Sequence, residues 1–281
     1  MGRFANSWAM TKASFRVVMH DKELLVLPIL SFLATVVAFL AVVGVAIGAG
    51  IVPNVTLPNG QPNLPGIALA LLFYLGVAFV QVFFGAAVVA GAGERLAGGN
   101  PTLASCLRAA SRKAGRLFVW SFFVAVINLV MQALRERGGL LGRIAAGLGN
   151  LAWSLATYFM LPILMFEDAP VTASMGRSAS LFKKTWGEQV IGNGGIGLVF
   201  GLLMVATVLL SMFLVQGLWA AGGFLAALPA LAIGLCVVLL LAALQSAVGG
   251  VYKAALYRFA TTGQGGAGFA PQELQAAFVA K

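Results

Sequence analysis

Few side chains in this sequence carry groups that perform chemistry. The 281 residues include eight acids, one histidine, His20, and two cysteines, Cys106 and Cys236. The cysteines lie far apart without the spacing of metal ligands, so we interpret them as free structural thiols. An active site needs a nucleophile, a base and an oxyanion stabiliser that converge, and the apolar stretches supply no acid or histidine at depth. The sequence therefore predicts no enzymatic activity, no bound metal and no cofactor.

Glu167 and Asp168 are the most suggestive acids, because they follow an apolar stretch and precede a basic one. Acids are common at helix N-termini, where they interact with free N–H groups and with the helix dipole. The simpler interpretation is that Asp168 caps the next helix and that Glu167 interacts with the dipole or a nearby arginine. The alternative is a functional site where the chain leaves the membrane.

Pro28 and Pro162 both lie in the string Leu-Pro-Ile-Leu within apolar stretches. Proline removes one intrahelical hydrogen bond and kinks a helix, so each is a candidate hinge. Membrane helices also tolerate proline without such a role. We therefore interpret both first as ordinary helix residues and second as hinge motifs.

The basic residues exceed the acids, giving a net charge of +10 in a chain that is 60% hydrophobic and 9% charged. Soluble proteins have about 25% charged residues, so this chain lacks the polar surface of a soluble domain. The charges lie in short patches beside apolar runs, which favours anionic lipid headgroups over nucleic acid. The candidate contacts for anionic lipid or a partner protein are Lys12, Arg16, Arg108, Arg112, Arg116, Arg177, Lys183 and Lys184.

A helix needs about 20 apolar residues to cross the hydrocarbon core of a membrane. Six stretches meet this condition, at residues 24–51, 67–92, 117–134, 148–166, 191–215 and 224–251. Because positive charge is retained in the cytoplasm during insertion, a cytoplasmic N-terminus places all but three of the 18 basic residues in the cytoplasm. The exceptions, Arg135, Arg137 and Arg143, lie between the third and fourth spans. The sequence therefore predicts an all-α integral membrane protein with six spans in three hairpins and both termini cytoplasmic.

A short amphipathic stretch with a basic face precedes each pair of spans and is interpreted as a helix on the membrane surface. In the third of these stretches we expect an apolar side formed by Val171, Met175, Phe182 and Trp186. Residues 105–111 and 174–180 agree at four of seven positions. We interpret the chain as a single membrane domain of three pseudo-repeats, at about 1–99, 100–168 and 169–260, followed by a cytoplasmic tail at 261–281.

The string Leu161-Pro-Ile-Leu-Met-Phe-Glu-Asp168, followed by Arg177-Ser178, resembles the membrane domain of the glycerophosphoryl diester phosphodiesterase membrane-domain superfamily. Asp21-Lys22-Glu23-Leu24 and Ala255-Leu-Tyr-Arg-Phe-Ala-Thr-Thr262 resemble a narrower family of uncharacterised bacterial six-span proteins. These resemblances imply a location in the bacterial inner membrane. They do not imply hydrolysis, because the phosphodiesterase of the superfamily is a separate soluble domain that we do not expect in this chain.

The leading hypothesis is a non-enzymatic membrane protein that organises lipids or serves as an accessory or scaffold subunit of a membrane complex. The expected partners are anionic headgroups on the cytoplasmic face, with a membrane protein or a second copy as a further partner. Glycine faces at 44–48 and 197–201 suit close helix contact, within the protomer or with such a partner. The alternative is a transporter, flippase or channel component for a small amphiphilic or neutral substrate, since many transporters contain internal repeats.

Overall fold

The computed structural model describes residues 3–50, 63–186, 194–264, 266 and 269. Within them the chain is mainly α-helical and forms two compact units. Unit 1 comprises the described residues within Met1–Ile29, Gly91–Leu103 and Lys183–Lys281, and unit 2 comprises those within Leu30–Ala90 and Ala104–Phe182. The helices assigned in the described residues are α1 (Arg3–His20), α2 (Glu23–Gly48), α3 (Leu64–Leu96), α4 (Leu103–Arg112), α5 (Ala114–Arg137), α6 (Gly139–Ala156), α7 (Met160–Phe166), α8 (Val171–Trp186) and α9 (Gly194–Thr262).

Apolar side chains dominate the exposed surface of the long helices. Five helical stretches among the described residues are long and apolar enough to cross a membrane. They are Glu23–Gly48, Leu64–Leu96, Ala114–Glu136, Gly139–Phe166 and Val199–Thr262. The first four contain nearly all of the described parts of the first four predicted spans, which confirms their predicted helical and apolar character.

The connection between α5 and α6 is shorter than the sequence suggested. The chain turns at Gly138 and Gly139, and Gly139 adopts a φ of 57°, in the left-handed region that glycine enters without steric cost. The three arginines expected in the connection between the third and fourth spans lie within helices, Arg135 and Arg137 in α5 and Arg143 in α6. α5 and α6 pack against each other, and Trp120 and Trp153 stack with ring centroids 5.6 Å apart.

The long helix α9 is interrupted at Gly223, which has φ 70° and ψ −160°. This backbone conformation is essentially restricted to glycine. On the two sides of the interruption, Gly234 lies against Ser211, so closely that a Cβ at Gly234 would be 2.7 Å from the Cβ of Ser211. In a straight helix these two residues would be about 35 Å apart. The chain therefore reverses direction at Gly223.

The three short stretches expected before the pairs of spans are helical, as α1, α4 and α8. In unit 1, α1 packs against α9. The buried side of α8 differs from the expected one, because it consists of Val171, Ser174, Ser178 and Leu181. The side chain of Trp186 lies outside the described residues, as do parts of the predicted tail and of the first and fifth predicted spans.

The buried positions of α4 do not follow the sequence match between 105–111 and 174–180. That match pairs Cys106 with Met175, whereas Cys106 is buried in α4 and the fully buried residues in α8 are Ser174 and Ser178. The two registers differ by one residue, so the matched letters do not align the buried faces. The internal repeat remains a prediction that rests on the order of the helices.

Candidate functional site: charged residues at the helix ends

Five charged side chains meet in unit 2 where several helices end or begin. Glu167 and Asp168 follow the last residue of α7, and Lys113 immediately precedes α5. Arg116 lies in the first turn of α5, and Arg177 lies within α8. We call these five residues the acidic-turn cluster.

The cluster joins three helices through direct hydrogen bonds. Lys113 Nζ and Arg116 Nη1 both donate to Asp168 Oδ1, the second at 3.1 Å. Arg116 Nη1 also donates to the backbone oxygen of Glu167 at 3.3 Å. Arg177 Nε donates to Glu167 Oε1 at 2.7 Å and lies 2.6 Å from Oε2. The expectation that Glu167 pairs with a nearby arginine is confirmed.

Asp168 does not cap α8, contrary to the simpler interpretation of the sequence. α8 begins only at Val171. The carboxylate of Asp168 instead pairs with Lys113 and Arg116. The Asp168 side chain is 81% exposed. The hydrogen bond and the charge of Lys113, followed by those of Arg116, hold the pKa of Asp168 below its ordinary value. Asp168 is therefore an ionised surface acid whose single charge is shared by two cations.

The eight predicted lipid contacts differ in whether they pair with acids of the chain. Arg116 and Arg177 donate to acids of the chain itself. Lys12 is exposed, and the side chain of Lys184 lies outside the described residues. The remaining four are exposed and pair with no acid in the part of the chain that the structure describes: Arg16, Arg108, Arg112 and Lys183.

The two motif prolines occupy different settings. Pro28 lies within α2, which continues through it. Pro162 lies in the first turn of α7, a position that tolerates the missing N–H, and the helix interruption precedes it at residues 157–159. There the backbone N–H of Phe159 donates to Ser178 Oγ of α8 at 3.1 Å. Sequence reasoning located the interruption at the proline and did not identify Ser178 as the partner.

Unit 1 contains an ion pair of its own, which the sequence did not identify as a site. Asp21 lies in the turn between α1 and α2, and its Oδ2 is 2.9 Å from Nε of Arg95 in the last turn of α3. The side chains are 4% and 20% exposed, respectively. Burial, and then the charge of Glu23, raise the pKa of Asp21 above its ordinary value, whereas the Arg95 guanidinium acts in the opposite direction.

A polar chain lies near the opposite end of α5 from Arg116. Tyr74 Oη donates to Gln132 Oε1 at 3.2 Å, and Gln132 Nε2 donates to Glu136 Oε1 at 2.9 Å. Arg116 and Gln132 are about 24 Å apart along the helix axis. Polar contacts thus mark both ends of an apolar helix.

Among the described residues, no three histidine, cysteine or acidic side chains come together as metal ligands.

Long apolar helices with charged groups at their ends define a multi-pass α-helical membrane protein. Residues 65–269 match a family of unknown function (DUF6159). Because the match covers most of the chain, the protein belongs to this family. Asp21 precedes the matched residues, whereas Arg95 and the acidic-turn cluster lie within them. No curated protein and no solved structure matches the chain.

Proposed function

We propose that this chain is a non-enzymatic protein of the bacterial inner membrane that organises anionic lipids through arginines on short surface helices. It also serves as an accessory or scaffold subunit of a membrane complex. The residues at 161–168 and 177–178 support a relation to the membrane part of the glycerophosphoryl diester phosphodiesterase membrane-domain superfamily. The proposal assigns no hydrolytic activity.

One observation about α4 carries the proposal. Arg108 and Arg112 are exposed on α4, while Cys106 and Ala110 are buried on its other side. Residues four apart share one face of a helix. Lys113 and Arg116, which follow α4 in the chain, share the carboxylate of Asp168, whereas Arg108 and Arg112 have no acid partner among the described residues.

The position of α4 suits lipid headgroups. α5, one of the candidate membrane spans, begins at Ala114, directly after α4. Two unneutralised arginines thus lie beside the point where the chain enters the membrane. Each basic residue near an anionic surface contributes about 1 kcal/mol of attraction, so this pair alone enriches anionic lipid around α4.

A topology of six spans supports the same proposal. The reversal at Gly223 divides the longest candidate span into two arms. The chain then forms three hairpins, preceded by α1, α4 and α8. The distribution of basic residues favours cytoplasmic termini, which places these three helices on the cytoplasmic leaflet, where anionic lipids attract basic segments.

Open glycine faces support the role as a subunit. At Gly44, Gly48, Gly197 and Gly201, no described atom lies within 4 Å of the position that a Cβ would occupy. These glycines are therefore not used for close packing within the described part of the chain. A second membrane protein or a second copy is able to approach these faces closely.

The alternative function is a transporter, flippase or channel component for a small amphiphilic or neutral substrate. The interruption at 157–159 favours it, because many transporters have discontinuous helices near their substrate. The interruption is filled by the buried side chains of Phe159, Met160 and Ile163. This packing supports a closed structural kink over an open path.

The test compares lipid retention by two matched double variants of the full-length protein. In nanodiscs that contain phosphatidylglycerol and phosphatidylcholine, native mass spectrometry counts the lipids that stay bound. We expect Arg108→Ala/Arg112→Ala to retain fewer phosphatidylglycerol molecules than wild type. Arg135→Ala/Arg143→Ala removes two exposed arginines near the α5–α6 turn and should retain as many as wild type. Equal retention by both variants would refute the proposal.

A second measurement addresses the alternative. Proteoliposomes with fluorescent lipid in both leaflets show whether the protein exchanges lipid between them, because an external reductant then bleaches more than the outer leaflet. We expect the same bleached fraction as in empty liposomes. A larger bleached fraction would favour the flippase.

A further inference from the structure

The fourth candidate span is interrupted by a break in its hydrogen bonds. In a continuous helix the N–H of Phe159 donates to the carbonyl four residues earlier, but here it donates to Ser178 Oγ. On either side, Tyr158 N donates to the oxygen of Leu155 and Met160 N donates to that of Thr157, each only three residues away. Residues 157–159 therefore form a tight connection between α6 and α7.

Consecutive residues of α8 hold the two ends of α7. Ser178 accepts the hydrogen bond of Phe159, directly before α7. Arg177 donates to Glu167, directly after α7. α7 is only seven residues long, so these two contacts fix it along its whole length.

Side-chain packing strengthens the attachment of α7 to α8. The rings of Tyr158 and Phe182 lie 6.0 Å apart. Ser174 and Ser178 of α8 are fully buried, as are Phe159 directly before α7 and Ile163 within it. The chain is thus bonded to α8 at both ends of α7, while in the link to α6 the N–H groups of Tyr158 and Met160 donate three residues back instead of four.

We propose that α7 and α8 form one rigid body that pivots at residues 157–159, and that anionic lipid bound to α8 sets its position. The second part rests on the proposed function. Lys183 is exposed on α8, and Arg177 is 50% exposed beside Glu167. A lipid phosphate at Arg177 competes with the Glu167 carboxylate for the same guanidinium, which loosens the C-terminal attachment of α7.

Hydrogen–deuterium exchange of the full-length protein in nanodiscs tests the rigid body. In neutral lipid, we expect Ser178→Ala to speed amide exchange at residues 157–160 about tenfold, because the Phe159 N–H loses its acceptor. Ser180→Ala, on the exposed side of the same helix, is the matched control and should match wild type. Ser178→Cys keeps a weak acceptor of similar size, gives an intermediate rate and remains informative if the alanine variant does not fold. Wild-type exchange in both Ser178 variants would overturn the rigid body.

Replacing part of the neutral lipid with phosphatidylglycerol tests the coupling to lipid. We expect exchange at residues 157–160 of the wild-type protein to rise several-fold, and Lys183→Ala to reduce this rise. No rise in anionic lipid would overturn the coupling and leave the rigid body standing. Failure of the lipid-retention test on α4 would overturn the proposed function without affecting the Ser178 result.

Discussion

The Asp21–Arg95 pair of unit 1 and the Lys113–Asp168 pair of unit 2 each join the start of one candidate span to the end of the next. The acid and the base are exchanged between the two pairs. In unit 1 an acid before a span pairs with an arginine at the end of the next span. In unit 2 a lysine before a span pairs with Asp168 after the next span. Asp21 is 4% exposed and Asp168 is 81% exposed. The same connection is therefore made once inside the protein and once in contact with solvent.

The difference in burial determines how much each pair matters for stability. An exposed ion pair is screened by water and contributes about 0–1 kcal/mol. A buried pair contributes little relative to an apolar pair, but loss of one partner leaves a charge unpaired in a poor solvent. Removal of single residues should therefore affect unit 1 far more than unit 2.

The largest effect is expected for Arg95→Ala, which leaves the Asp21 carboxylate buried without a counter-charge. We expect a loss of about 3–5 kcal/mol in the free energy of unfolding, measured by denaturant titration in mild detergent. Arg108→Ala removes an exposed arginine and should change it by less than about 0.5 kcal/mol. Asp21→Asn added to Arg95→Ala should restore part of the loss. Equal effects of both arginine variants would contradict the assigned burial of the pair.

The two acids should respond to pH in opposite directions. The pKa of Asp21 is raised above 3.8, so its contribution to stability is complete below pH 3.8 and is lost as pH rises through the folded-state pKa. The pKa of Asp168 is lowered below 3.8, so its contribution is present above pH 3.8 and is lost as pH falls through the folded-state pKa. Asp21→Asn should flatten the stability curve above pH 3.8, and Asp168→Asn should flatten it below. Changes in the same pH range for both variants would refute this assignment.

A smaller effect is expected at the Glu167–Arg177 pair. Arg177 is half exposed, so Glu167→Gln should reduce the free energy of unfolding by about 1 kcal/mol or less. A double-mutant cycle with Arg177→Gln isolates the coupling between the two side chains. A coupling as large as that of Asp21 with Arg95 would show that the acidic-turn cluster is less solvated than its exposure indicates.

The smallest effect is the dependence of these couplings on salt. Raising the ionic strength from 0.01 M to 1 M shortens the screening length from about 30 Å to about 3 Å. The Glu167–Arg177 coupling should fall by a few tenths of a kcal/mol, since exposed pairs are screened. The coupling of Asp21 with Arg95 should stay constant within error. A larger decrease in the Asp21–Arg95 coupling than in the Glu167–Arg177 coupling would show that the pair of unit 1 is the more solvated one.

Local sequence patterns predicted the helices well because hydropathy and periodicity are local properties. They predicted the partner of Glu167 only as a class, a nearby arginine, and Arg177 is ten residues away. They failed for Asp168, because a cap must directly precede its helix and Ala169 and Pro170 intervene. Its partners, Lys113 and Arg116, are more than 50 residues distant, so only the packing of the helices brings them close.

The remaining differences also have physical causes. Ser174 and Ser178 are buried although hydroxyl groups suggest an exposed position, because both hydroxyls form hydrogen bonds with the backbone: Ser178 accepts from the N–H of Phe159, and Ser174 donates to the carbonyl of Pro170. The short turn at Gly138 and Gly139 was not predicted, because the apolar stretches were bounded at residues 134 and 148, outside the three arginines. A long arginine reaches polar surroundings from within a helix. The Asp21–Arg95 pair joins residues far apart in the chain, so spacing alone does not reveal it.

The reversal at Gly223 gives α9 two arms that run in opposite directions. In the proposed topology of six spans, these arms bring Thr262 back to the side of the membrane on which α9 begins at Gly194. A continuous rod in their place would carry Thr262 to the opposite side and make the number of crossings odd. In this topology, one glycine in a conformation closed to other residues sets the side on which α9 ends.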